Sequence, residues 1–218
     1  MITGYFIEEC KNRFLCLVNV DGCSVECYVP SSSKLGKLIS LQNRRVMLIN
    51  NVGKKLRTKY TLHAVYKKNR WVLLNLNIIN DLVFDALVDS YNGPIKREHY
   101  VGNYKSDFYC QESKEVIEVK GILSDEETVS YPSASSGRHL RQLCAIEQLL
   151  KDGYSVKYIF VIMNSVTRNI ILNKQEQDLV MFFNKCLVLG MQLVFFSPYW
   201  ENNKFCLRRI PNNQITIS

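Results

Sequence analysis

The stretch Tyr104-Lys105-Ser106-Asp107-Phe108-Tyr109-Cys110-Gln111-Glu112-Ser113-Lys114-Glu115-Val116-Ile117-Glu118-Val119-Lys120 decides how this chain folds. Residues 104–110 and 115–120 read as two strands joined by a polar turn at Gln111 to Lys114. Side chains alternate faces along a strand, so Glu118 and Lys120 share one. If the two strands pair across that turn, Asp107 falls directly opposite Glu118. Cross-strand neighbours hold their Cβ atoms about 4.5–5.5 Å apart, and like charges there repel. Two carboxylates and an ammonium on one patch are reconciled by a divalent cation, and hard carboxylate oxygens suit Mg²⁺ or Mn²⁺.

The context separates this triplet from its copies. Glu9-Cys10-Lys11 lies in a polar stretch expected before the first strand, and Glu112-Ser113-Lys114 lies in the turn. Only Glu118-Val119-Lys120 is embedded in apolar residues. An Asp followed about ten residues later by Glu-x-Lys on a strand is a nuclease signature. In that role Lys120 would orient or deprotonate a metal-bound water, or stabilise charge at a scissile phosphate. The plain alternative is a Glu–Lys surface pair contributing little, with Asp107 unrelated.

Further out, a strand at 95–101 precedes this pair, and a helix from about Ser136 to Leu150 follows it, stopping near Gly153. Val156 to Met163 is almost wholly apolar, as in a strand buried on both faces. A helix over Asn173 to Leu189 ends at Gly190, and strands at Met191–Phe196 and Phe205–Arg209 follow. Upstream, Asn80 or Asp81 is expected to cap a helix whose apolar face is Leu82, Val83, Ala86 and Leu87. Asp81, Asp85 and Asp89 form an acidic row that reads as a solvated face. The order α-β-β-β-α-β-α-β-β predicts an α/β domain over residues 81–218.

Residues 1–80 read as β-structure. Arg13–Val20 and Cys23–Val29 flank Asp21-Gly22, a type I′ hairpin signal. Lys34 to Ile39 has room for one helical turn. Strands follow at Arg45–Ile49, Tyr60–Tyr66 and Arg70–Leu76, the last two joined by Lys67-Lys68-Asn69. Five short strands with one interruption predict a small barrel of the OB type, a fold that often binds oligonucleotides; an SH3-like barrel would read much the same.

Bulk properties narrow the function classes. The chain has 218 residues, 47% hydrophobic and 22% charged, as in ordinary globular proteins. No apolar run reaches the roughly 18 residues of a membrane span, and the N-terminus lacks a secretory pattern. A cytoplasmic location is therefore the default expectation, with no membrane partner. The eight cysteines lack zinc spacing and sit mainly in apolar stretches, which favours buried free thiols over disulfides. A net charge of +8 points to polyanions. Cations cluster at Lys54, Lys55, Arg57 and Lys59 and again at Lys67, Lys68 and Arg70, with Tyr60 and Trp71 nearby to stack bases. Arg138 and Arg141 open the 136–150 helix, within reach of phosphates near the metal. His139 there reads as a helix residue with a local hydrogen bond.

With those residues in place, the chain resembles the sugar fermentation stimulation protein A (SfsA) family nearly end to end. Members of that family look like an OB-fold domain followed by a PD-(D/E)XK nuclease domain, αβββαβ at its core. Val25-Glu26-Cys27-Tyr28-Val29-Pro30 is similar to its VECHVP, and Leu56 to Leu62 to its RKTRYTL. Asn80-Asp81-Leu82-Val83 and Asp85-Ala86-Leu87 resemble NRLV and EAL. Gly102-Asn103 with Asp107-Phe108 resembles GNSRFDF, and Ile117-Glu118-Val119-Lys120 resembles VEVK. The resemblance implies that Asp107 and Glu118 are metal ligands and Lys120 the catalytic lysine. It implies a further ligand in the Val119 backbone carbonyl, with Asp85 as an outer acid, and a positive charge retained at Lys105. Departures fall at Ser31 to Lys34, where the family has NTGR, at Gly121-Ile122, and at Pro132-Ser133-Ala134, which lacks the Asp of PDA in a shortened segment.

The expected function is therefore metal-dependent hydrolysis of phosphodiester bonds in DNA or RNA with little sequence specificity. The polymer would be gripped by Arg57, Lys59, Lys105, Arg138 and Arg141. The alternative is a non-catalytic DNA-binding protein or transcriptional accessory factor. The sequence leaves the oligomeric state open, a homodimer included.

Overall fold

The structure, a computed structural model, describes residues 1–31, 34–51, 57–133 and 137–218. Lys54, Lys55, Leu56 and the residues between Ser133 and Gly137 lie outside the described residues.

The chain opens with β1 (Ile2–Glu9), β2 (Leu15–Val20), β3 (Cys23–Tyr28), β4 (Arg45–Asn50), β5 (Tyr60–Lys67) and β6 (Arg70–Leu73). β1 pairs with β2 and β4, β5 with β4, and β3 closes onto β5 in parallel, so five strands form a barrel and β6 adds outside β5. The expected barrel is present, but the expected strand list omitted β1. Its alternation is masked at Gly4, an inward position. A Cβ there would sit 2.7 Å from the Val18 side chain, so only glycine lets β1 and β2 approach. Glu9 consequently ends a strand instead of preceding the first one. Asp21 and Gly22 turn with φ of 51° and 82°, as the type I′ hairpin requires. A 3₁₀ turn at Leu35–Lys37 is the expected interruption.

α1 (Ile79–Leu87) follows a 3₁₀ turn at Leu76–Ile78. Asn75, not Asn80 or Asp81, caps this entry by accepting from the Asn77 N–H. Next come β7 (Ile95–Val101), β8 (Tyr104–Cys110), β9 (Glu115–Ile122), β10 (Thr128–Tyr131), α2 (Gly137–Lys151), β11 (Ser155–Ile162), β12 (Asn169–Leu172), α3 (Gln177–Val188), β13 (Gln192–Glu201), β14 (Lys204–Ile210) and β15 (Thr216–Ile217). The main sheet has the order β14-β13-β11-β9-β8-β7, parallel at β9-β11-β13. β10, β12 and β15 form a small parallel sheet that sequence reading missed; each has at most four residues, too short for a periodic signal. The helix expected from Asn173 starts at Gln177, because Asn173 instead accepts the Gln175 N–H in a local turn.

β11 is covered on both faces, as its apolar run implies. Ile159 and Val161 enter one core with barrel residues, α1 and Phe196. Tyr158, Phe160 and Ile162 enter a second core with α2 and α3. Fully burying one such side chain stabilises by about 1.5–3 kcal/mol. A core shared between the barrel and the sheet therefore fixes one against the other. Asp125 adds a polar clasp, accepting from the Ser40 N–H at 2.9 Å, from Asn164 Nδ2, and from Lys67 on the β5–β6 hairpin. All eight cysteines are free thiols; Cys16, Cys27, Cys110 and Cys186 are buried. No helix among the described residues is long and apolar enough to cross a membrane.

Candidate metal and phosphodiester site

β8 and β9 pair from Cys110–Glu115 to Phe108–Ile117 and then part. Continuing that register sets Asp107 opposite Glu118. Where the ladder stops, the Asp107 carboxylate takes over one of its bonds: Oδ2 accepts the Val119 N–H at 2.8 Å. A residue's N–H and C=O leave the same edge of a strand, so the Val119 carbonyl also points to the β8 edge, beside Asp107.

The parting of the strands lets both faces of the sheet contribute. From α1, Asn80 Nδ2 donates to Asp107 Oδ1 at 3.0 Å. From α2, Gln142 Nε2 donates to Glu118 Oε1 at 2.8 Å, while Gln142 Oε1 accepts from Lys120 Nζ at 2.9 Å. Lys120 Nζ also donates to Glu118 Oε1, and the Tyr104 hydroxyl to Glu118 Oε2. Close packing of α1 against β9 holds this arrangement: a Cβ on Gly121 would lie 2.7 Å from Ile79 Cδ1.

Glu118 is 2% exposed. Burial raises its pKa above the ordinary value, Lys120 opposes the rise, and Asp107 adds to it. Burial and the neighbouring Glu118 carboxylate raise the Tyr104 pKa, so its hydroxyl stays protonated and donates. Tyr131 and Tyr158 lie behind Glu118, hydroxyl to hydroxyl at 2.6 Å. His139 stacks on Tyr131 with ring centroids 6.0 Å apart. Its expected local hydrogen bond is not made through Nδ1, which is buried without a partner among the described residues. Burial, then Lys120 and Arg138, lower its pKa.

Asp107, Glu118 and the Val119 carbonyl offer an all-oxygen donor set, which fits a hard divalent cation. The two carboxylates have about eight lone-pair sites between them, more than the five donors above occupy. Asp85 does not join them. It is exposed on α1, about 140° round the helix from Asn80. No group of three or more His, Cys, Asp or Glu gathers among the described residues.

Of the expected phosphate contacts, exposed Arg138 lies near enough for its charge to act on Tyr104, and exposed Arg141 follows on α2. Lys105 is ion-paired with Glu98 at 2.6 Å. Arg57 and Lys59 are exposed on the approach to β5 in the barrel, with Lys59 Nζ 5.2 Å from the Tyr60 ring centre. Sequence reasoning missed Asn80, Tyr104 and Gln142. Gln142 did carry a signal, a polar residue inside the apolar stripe Leu143, Ile146 and Leu149, four residues after Arg138.

The family model for the SfsA N-terminal OB domain matches residues 9–74, and that for the sugar fermentation stimulation protein RE domain matches residues 74–199. The chain belongs to the SfsA family. A sugar fermentation stimulation protein homolog from Enterococcus mundtii is 27% identical, over 98% of this chain and 94% of its own length. One from Clostridium beijerinckii is 30% identical, over 74% of each chain. The solved structure of Pyrococcus furiosus SfsA in complex with Ca²⁺ has the same fold. Its TM-score is 0.77 at 18% identity, over 100% of this chain and 95% of that one.

Proposed function

We propose that this SfsA-family chain is a metal-dependent nuclease of the PD-(D/E)XK kind, hydrolysing phosphodiester bonds in DNA or RNA with little sequence specificity. The observation that carries this reading is the convergence of Asp107, Glu118 and Lys120 where β8 and β9 part. A structural relative was solved with Ca²⁺, which supports a divalent cation; the oxygen donors here favour Mg²⁺ or Mn²⁺ for turnover.

Asp107, Glu118 and the Val119 carbonyl would hold the cation. When bound, it would supply Lewis acidity at a phosphoryl oxygen and a counter-charge to the two acids. Lys120 would orient the attacking water through Nζ and stabilise the charge that develops at phosphorus. The water oxygen forms the new P–O bond and gives up one proton to solvent, the bond to the leaving ribose or deoxyribose oxygen breaks, and that oxygen takes up a proton from solvent, so that one H₂O is consumed. Gln142 fixes Lys120 and Glu118 in one geometry, and Tyr104 keeps the Glu118 carboxylate aimed. Arg138 and Arg141 would position the phosphates that flank the scissile one.

A second reading, a non-catalytic DNA-binding protein or transcriptional accessory factor, is favoured by one observation: only two acids meet among the described residues. End-labelled single- and double-stranded DNA and RNA incubated with Mg²⁺, Mn²⁺ or EDTA, beside Lys120→Ala, separate the two. Metal-dependent cutting lost in the variant supports the nuclease. Binding without cutting, equal in both proteins, overturns it and leaves the binder.

A further inference from the structure

The outer face of the barrel carries a row of side chains in lateral register across all six strands. Tyr5 on β1 pairs with Asn19 on β2 and Arg45 on β4, and Asn19 pairs with Ser24 on β3. The register that pairs Val46 with Val65 sets Arg45 opposite Tyr66 on β5, and Tyr66 pairs with Trp71 on β6. No position in this row is acidic. Tyr66 and Trp71 meet edge to face at 5.2 Å, and the Arg45 guanidinium lies 5.7 Å from the Trp71 ring centre. Tyr5 is 59% exposed and Tyr66 37%. Arg44, Lys68 and Arg70, all exposed, flank the aromatic end.

We infer that the stripe Tyr5–Arg45–Tyr66–Trp71 is a stacking platform for a single-stranded polynucleotide, which the barrel holds while the site between β8 and β9 acts on it. This rests on the reading that the chain acts on nucleic acid, and it adds that unpaired bases are what the barrel recognises. A cross-strand aromatic pair could serve the hairpin alone, by a few tenths of a kcal/mol to about 1 kcal/mol. That role does not call for an exposed Tyr5 two strands away, nor for cations flanking the aromatic end of a row without acids. Strands are about 4.8 Å apart, so the four side chains span roughly 14 Å, room for a short run of successive bases. Aromatic faces and guanidinium planes accept any base, and nearby cations track the phosphates. A duplex keeps its bases internally stacked and offers the row nothing to hold. The β5–β6 hairpin also meets the segments that leave β9 and β11, through Lys67 with Asp125 and Arg70 with Asn164 at 3.3 Å. The aromatic end of the row therefore lies beside the segments that follow β9 and β11.

The test is fluorescence anisotropy of labelled oligo-dT, oligo-rU and a duplex of equal length, in EDTA so that nothing is cut. Single strands are expected to bind tighter than duplex and to quench tryptophan fluorescence. Tyr66→Ala and Trp71→Ala should each weaken single-strand binding by about 5- to 100-fold, while Tyr66→Phe retains it. Arg45→Ala should reduce the salt dependence by about one phosphate contact. Circular dichroism checks that each variant is folded, and the dT and rU arms assign the sugar. Equal affinity for duplex and single strand, with no effect of folded Tyr66→Ala and Tyr5→Ala, overturns the platform. So does a dimer that these variants dissociate, since a second copy would then occupy the row. Binding in EDTA with no cleavage in Mg²⁺ or Mn²⁺ would overturn the nuclease and leave the platform; cleavage with unchanged variant binding would do the reverse.

Discussion

Replacing Lys120 by methionine isolates the tension at the centre of the site. The Glu118 and Lys120 side chains are 3% and 14% exposed, and they form an ion pair. Breaking a buried pair by removing one partner costs about 3–5 kcal/mol. Tyr104 and Gln142 still donate to Glu118 in the variant, so the lower end applies, about 3 kcal/mol at pH 8. For a chain of this length that corresponds to roughly 6–12 °C in Tm. The cost must depend on pH in a defined direction. Burial already raises the Glu118 pKa in the folded chain, and Lys120 opposes that rise. Its charge therefore disfavours folding once pH exceeds the ordinary carboxyl value of about 4.5. Without Lys120 the penalty deepens and extends to higher pH, so the difference between the proteins grows from pH 4.5 to pH 8. Urea denaturation in EDTA at several pH values measures it, and Glu118→Gln added to Lys120→Met should recover most of the loss. Millimolar Ca²⁺ should stabilise Lys120→Met more than the parent, because the cation replaces the missing positive charge. A destabilisation that is flat with pH, or below about 1 kcal/mol at pH 8, would refute the account of Glu118 as a buried, paired carboxylate.

Three further outcomes are expected. Gln142→Leu removes hydrogen bonds to both Lys120 and Glu118, and kcat for oligonucleotide cleavage should fall about 10- to 100-fold with KM little changed; steady-state kinetics reads both. Asp107→Asn removes a carboxylate from the proposed donor set, and calorimetric Mn²⁺ affinity should fall by more than about a hundredfold, beyond the loss typical of outer-sphere changes. His63 is buried at the domain junction, and burial lowers its pKa to about 4. Its contribution to stability is therefore whole above the unfolded value of 6.5 and disappears as pH falls from 6.5 to 4, by about 3 kcal/mol in all. Denaturation of the wild type and His63→Gln across that window should show the slope only in the former.

The legible parts of this molecule were those with a local signal. The Asp21-Gly22 hairpin, the doubly buried β11 and the β8–β9 register each follow from turn chemistry or periodicity within about fifteen residues. β1 was missed because Gly4, its tightest inward position, carries no side chain to mark the alternation. β10, β12 and β15 were missed because each is held by strands far along the chain, not by its own pattern. Asn80 was read as a cap from its position before an apolar face, and a cap-forming amide looks the same whether it bonds its own backbone or a carboxylate 27 residues away.

The site was half legible for a related reason. Asp107, Glu118 and Lys120 lie on one hairpin, so strand geometry alone brings them together. Their partners arrive from opposite faces of the sheet, Asn80 with α1 and Gln142 with α2, and only the parting of β8 from β9 lets both reach the same place. Asp107 compensates that parting by accepting the Val119 N–H. A site of this kind cannot be reduced to its charges. Burial disfavours the Glu118 charge, and the chain surrounds it with Tyr104, Lys120 and Gln142 while placing Asp107 where it makes the repulsion worse. Such a cost, held in place by donors from three separate elements, is what two carboxylates require if a divalent cation is to bind between them, and it has no counterpart in a surface that merely attracts a polyanion.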